Sequence, residues 1–238
     1  MDIPNFPECD HAIVKALFEQ SDYSLVQRLQ EQPGQGRYFT ALFCRYSPVV
    51  YSLIRHSARS PVQSDYLFAL TWRHILNELS GIALPPTADN TSFSLQGWLV
   101  NITAACINQT DLPEVENIHY SLSDASPPLW CYVSRSLDQL KPVHRLMVLM
   151  AQTFHWSDTR IAAYLQAEGT RISPEQVRQQ LTQAYRLLES ALPEDIRAVY
   201  LSSDTPGPVD DDLSDFLDLS GLDLSPATGQ SRPDADLP

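Results

Sequence analysis

Between residues 171 and 186 the chain sets Arg171, Ser173, Gln176, Arg178, Gln179, Thr182 and Arg186 around an apolar stripe formed by Val177, Leu181, Ala184 and Leu188. With that stripe turned inward at helical spacing, the guanidinium and amide groups lie on or beside the opposite, wet face. Arg pairs well with guanine and Gln with adenine, each good bidentate pair being worth about 1 to 3 kcal/mol of discrimination. That face suits base reading in duplex DNA, but pairs of short amphipathic helices are common in all-α proteins that never touch DNA, and on pattern alone the structural reading comes first. Elsewhere there is no nucleophile beside a base and no carboxylate pair in an acid/base setting, and the six His residues show no metal-ligand spacing. No catalytic residue, metal or cofactor is expected, and an enzyme is the least favoured class. Trp72, Trp98, Trp130 and Trp156 are expected mostly in the core, with base stacking and core packing evenly matched for Trp98.

The elements that must position these groups read as helices throughout. Apolar residues recur at a 3.6-residue period through most of residues 11–192, and no stretch alternates cleanly over strand length. Asp10 is expected to cap a first helix and Ser21 a second. A third starts at Arg37 and is kinked or restarted by Pro48; a fourth starts at Ser60-Pro61 and stops at Gly81. Residues 82–92 read as a loop, and residues 93–108 as a helix with Leu95, Trp98, Leu99 and Ile102 on one face. Ser157 caps a short helix with Ile161, Ala162 and Leu165 inward, and Ser173-Pro-Glu-Gln176 supplies cap, first-turn Pro and capping-box Gln for a longer one. A short helix, a turn and a longer helix make the helix-turn-helix plan.

Residues 111–128 mix Pro, Ser, Asp and Glu with few apolar side chains, the composition of a linker between two domains. The expectation is an all-α chain of two small helical domains, 21–110 and 129–195, after an N-terminal extension at 1–20, with a disordered acidic tail at 204–238. That tail carries nine Asp and one Arg, and so −8 of the net charge of −13. Its plain reading is a solubilising end; the sharper ones are a DNA mimic that covers Arg171, Arg178 and Arg186, or an apolar-acidic segment that folds on a partner. The acidic N-terminus lacks the pattern of a secretory signal, and the longest apolar run, residues 146–151, is too short to span a bilayer. A cytoplasmic protein without membrane contact is expected, its four scattered cysteines reduced and mostly buried.

The order of motifs adds a family. Ser21-Asp-x-x-Leu25 and Tyr38-Phe-x-Ala-Leu-Phe-x-Arg-Tyr-Ser-Pro-Val-Val-Tyr51 are followed by Phe68-Ala-Leu-Thr-Trp-Arg73 and Phe93-x-x-x-x-Trp-Leu-x-x-Ile102. Then come Leu137-x-x-Leu-x-Pro-x-x-Arg145, Trp156-Ser-x-x-x-Ile-Ala-x-x-Leu165 and Val177-x-x-x-Leu181. Over residues 21–192 this run resembles a divergent sigma-70 superfamily sigma factor of the extracytoplasmic-function type. The resemblance implies a transcription initiation protein that binds core RNA polymerase and promoter DNA, with an anti-sigma or other regulatory protein as a further candidate partner. It places Asp65, Tyr66, Ala69, Trp72 and Arg73 toward the polymerase, and Trp98, Asn101, Thr103 and Asn108 near the melted strand. The seven residues of the last helix and its approach would read the upstream duplex.

The chain also departs from that pattern. From His74 to Ser134 there is no Lys or Arg, although the span includes the proposed melting helix, and phosphate neutralisation is what supplies non-specific DNA affinity. The residues before Phe68 alter the expected docking surface, and residues 166–176 are longer than the usual tight turn. The alternative is a degenerate sigma-like adaptor or regulator that binds protein partners without opening promoter DNA.

Overall fold

Five serines start five of the helices. Ser21, Ser60, Ser94, Ser157 and Ser173 each sit in extended backbone and accept a hydrogen bond from the N–H three residues on, satisfying a donor the helix cannot. The structure is a computed structural model, and it describes residues 4–83 and 94–201. After a 3-10 turn at Pro7–Asp10 come α1 (Ala12–Lys15), α2 (Asp22–Glu31), α3 (Arg37–Ser57), α4 (Pro61–Leu79) and α5 (Leu95–Gln109). A second 3-10 turn, Val115–Asn117, precedes α6 (Pro127–Gln139), α7 (Pro142–Gln152), α8 (Asp158–Ala167), α9 (Pro174–Ala191) and α10 (Glu194–Tyr200). Among the described residues there is no strand, so the all-α expectation holds there. The expected loop at 82–92 lies largely, and the acidic tail wholly, outside the described residues.

Several local readings are corrected. His11, not Asp10, caps α1, its Nδ1 accepting from the N–H of Ile13, while Asp10 pairs with Lys15 at 2.9 Å. Of the two readings for Pro48, a kink or a restart, the restart is excluded, because α3 runs through it. The cysteines are not all reduced: Cys9 and Cys44 form a disulfide that ties the first 3-10 turn to α3, leaving Cys106 half-buried and Cys131 buried as free thiols.

The largest difference concerns the linker. Ile118, Tyr120 and Ala125 are buried, the Tyr120 hydroxyl donates to the Ala125 carbonyl at 2.7 Å, and its ring stands 5.6 Å from Trp130 and 6.4 Å from Tyr66. The expected strap is thus packed between α4 and α6. Helix α6 has no wet side over its first turns: Pro127, Pro128, Trp130, Cys131, Tyr132 and Val133 are all buried, because α6 packs on α3, α4, α9 and α10. Instead of two bundles joined by a tether, the described residues share one continuous core, rich in aromatics at Phe39, Phe43, Phe68 and Trp72.

A short helix absent from the sequence reading, α10, closes this arrangement. Asp195 accepts from the N–H of Gly36 at 3.0 Å and of Arg37 at 2.9 Å, capping α3 from 159 residues away. Gly36 makes that approach possible, since a Cβ there would overlap Ile196 and lie 2.8 Å from the Tyr132 ring.

Candidate nucleic-acid interface

Helices α7, α8 and α9 form a three-helix unit in which each packs on the other two. Met147, Val148 and Met150 of α7, Ile161, Ala162 and Leu165 of α8, and Val177, Leu181, Ala184 and Leu188 of α9 are buried within it. Tyr185 joins them and accepts from the Gln152 side chain at 2.6 Å, fixing α9 to α7. The stripe read from the sequence is therefore the packed face of α9.

The long connection between α8 and α9 is tied down. The Thr170 N–H donates to the Leu165 carbonyl at 2.8 Å, the Gln166 amide donates to the Ile172 carbonyl at 2.6 Å, and Gly169 turns the chain with φ +88°. Ile172 is buried, so the extra length is spent on a packed turn.

On the open side, Arg171, Arg178, Gln179, Thr182, Gln183 and Arg186 are exposed. Two predicted readers are spoken for: Ser173 accepts from the Gln176 N–H at 3.3 Å and the Gln176 side chain accepts from the Ser173 N–H at 2.8 Å, a complete capping box. Both shape the helix start. Thr182 turns its hydroxyl onto the Arg178 carbonyl at 3.1 Å, and Arg178 donates through Nε to Asp158 on α8 at 2.9 Å. The Arg178 side chain nonetheless remains 73% exposed, with the rest of its fork open to solvent.

Sequence reasoning missed one group on this unit. In the turn between α7 and α8 and on α8 itself, Phe154, Trp156 and Tyr164 lie ring to ring at 6.1 and 5.7 Å, and the Arg160 guanidinium sits 4.3 Å over the Trp156 ring. Phe154 is 60% exposed, and Arg160 adds a cation to the same unit. The spacing Trp156, Arg160, Tyr164 at i, i+4, i+8 was the available signal. From residue 141 to 192 the chain carries six Lys and Arg against four Asp and Glu, a positive unit within an acidic protein.

The other two predicted sites fare differently. Tyr66, Ala69 and Trp72 are buried, Tyr66 against Tyr120 of the packed connection and Trp72 against Phe39 and Phe43 of α3; Arg73 lies 4.9 Å over the Trp130 ring, and Asp65 accepts from the Tyr51 hydroxyl at 3.0 Å. Burial pushes the Asp65 carboxyl up, opposed by the Tyr51 hydrogen bond and Arg55. This face of α4 is consequently core rather than an open docking surface. On α5, Asn101 and Asn108 are exposed and Trp98 is half-buried against the core, but Thr103 is fully buried and donates to the Leu99 carbonyl at 2.7 Å. Thr103 is therefore a packing residue.

Among the described residues no group of three or more His, Cys, Asp or Glu side chains is placed to hold a metal ion, and no helix is long and apolar enough to cross a membrane. Comparison with protein-family models, curated proteins and solved structures finds no match to this chain.

Proposed function

We propose that this chain is a sigma-like transcription protein that contacts promoter DNA through α8 and α9 and works with core RNA polymerase in the cytoplasm, without catalysis of its own. The observation that carries the reading is the two-sided character of α9: a buried stripe fixes the helix, and Arg178, Gln179, Thr182, Gln183 and Arg186 stand together on its wet face. A helix presented in this way suits the major groove, where Arg and Gln read base edges.

The second reading, an adaptor or regulator that does not open DNA, draws support from two particulars. The α4 face that would meet polymerase is buried, and no Lys or Arg stands between His74 and Ser134.

Fluorescence anisotropy of the full chain on a labelled duplex tests the DNA contact. Binding is expected to be weak, with a salt slope of about −2 to −3 for two or three engaged arginines, and to fall in Arg178→Ala and Arg186→Ala. Pull-down with core polymerase followed by run-off transcription separates the two readings. Capture with transcription supports a sigma; capture, or duplex binding, without transcription supports the adaptor or regulator. A chain that neither binds duplex nor captures polymerase overturns both.

A further inference from the structure

Away from the DNA-facing unit, the N-terminal segment, the end of the packed connection and α10 enclose a half-open cavity of about 730 Å3. Its size falls in the range of small-molecule sites. Phe6, Leu122 and Leu129 supply apolar wall, and Ser126 and Tyr200 supply hydroxyls, with Ser126 donating to the Tyr200 oxygen at 3.2 Å.

What sets the cavity apart is Glu8. This residue lines it, is only 5% exposed, and its Oε1 is buried with no hydrogen-bond partner. A buried carboxylate oxygen without a donor is costly, and proteins place one where something supplies the missing charge. The lining holds no Lys or Arg: its other charged groups are the carboxylates of Asp10 and Asp124, and Lys15, the nearest cation in sequence, is engaged by Asp10. His11 also lines the cavity, but its Nδ1 faces the Ile13 N–H. Burial first, then the Glu8 carboxylate and the Tyr200 hydrogen bond to it, hold the Tyr200 phenol well above its ordinary value, so it stays a neutral donor to Glu8 and leaves Oε1 as the carboxylate oxygen without a partner. The wall therefore carries carboxylates and no Lys or Arg, with Glu8 the buried one and Phe6, Leu122 and Leu129 its apolar part.

We propose that this cavity binds a small organic cation, a primary ammonium carried on an apolar body, with Glu8 as its counter-ion. The ammonium donates to Oε1 of Glu8, and the apolar body lies against Phe6, Leu122 and Leu129. The Cys9–Cys44 disulfide anchors the segment that carries Glu8, holding the carboxylate in the wall.

Calorimetric titration of the full chain at neutral pH tests this, with 2-phenylethylammonium as the probe and 2-phenylethanol as its neutral counterpart. One-to-one binding of the ammonium is expected, with the alcohol about tenfold weaker or worse. Glu8→Gln keeps the shape and removes the charge, so it should lose about tenfold in ammonium affinity while leaving alcohol binding unchanged. Leu122→Trp, which fills the cavity from the connection that lines it, should weaken both ligands and serves where the Glu8 variant does not fold. Equal affinity for the two probes overturns the assignment. So does undiminished ammonium binding in a folded Glu8→Gln or Leu122→Trp protein, or no binding by the wild-type chain up to about 10 mM.

Discussion

Arg178 of α9 donates its Nε–H to Oδ2 of Asp158 at the start of α8, 2.9 Å away, so the cation central to the proposed DNA contact is clasped by a carboxylate of the neighbouring helix. The pair is largely exposed on the Arg side and adds little stability. Asp158→Asn should cost less than about 1 kcal/mol in a urea titration, including the lost helix-dipole term. Duplex affinity by anisotropy should rise about two- to fivefold as the arginine is released and a negative charge removed. Unchanged affinity together with a large loss of stability would mean that the arginine serves the fold rather than the groove.

Two glycines in one turn should respond in opposite ways. Gly36→Ala drives a methyl group into Ile196 and Tyr132 and should destabilise by about 1 to 3 kcal/mol. Gly34→Ala meets nothing within 4 Å, and it should be neutral or stabilise by about 0.4 to 1 kcal/mol through the unfolded chain. Thermal or chemical unfolding of the two variants side by side checks the contrast.

Reducing the Cys9–Cys44 bond, or replacing Cys9 by Ser, should lower unfolding free energy by about 2 to 4 kcal/mol, because the bond closes a loop between residues 35 apart. Urea titrations with and without reductant measure this. Cys131 is a poor confounder: it is buried, and burial pushes its thiol up to about 12, so alkylation of the native protein should fall on Cys106.

Asp65 should make the fold lose stability as pH rises. Its folded carboxyl titrates above the ordinary 3.8, so the native chain holds that proton more tightly than the unfolded one. The burial penalty is absent below the ordinary value, grows as pH climbs through the window just above it, and is fully present at neutrality. Asp65→Asn keeps an acceptor for the Tyr51 hydroxyl and should match or exceed the wild type at neutral pH, the advantage shrinking toward acid. A variant weaker by more than about 1 kcal/mol at neutral pH would show that the charged hydrogen bond outweighs burial.

Local information made much of this legible. Serine caps and a 3.6-residue stripe place α8 and α9, and Val177, Leu181, Ala184 and Leu188 are buried as their spacing requires. Pairings over long separations were not legible. Residues 111–128 have a linker's composition, but Ile118, Tyr120 and Ala125 find Tyr66 and Trp130 only once the chain has folded, and a few apolar residues then suffice to pack the whole connection. The run Leu129-Trp-Cys-Tyr-Val133, apolar at five successive positions, did carry the signal that the first turns of α6 are enclosed. The candidate polymerase residues on α4 were chosen by motif, and α3, the packed connection and α6 together take the face they were assigned.

The Asp195 clasp on Gly36 and Arg37 has a consequence for biosynthesis. The opening amides of α3 must wait, satisfied only by water, until the chain has been translated past Asp195. Nascent polypeptide on the ribosome should therefore leave that junction ajar, and the final latch should snap shut late, at the slow pace of long-range closure.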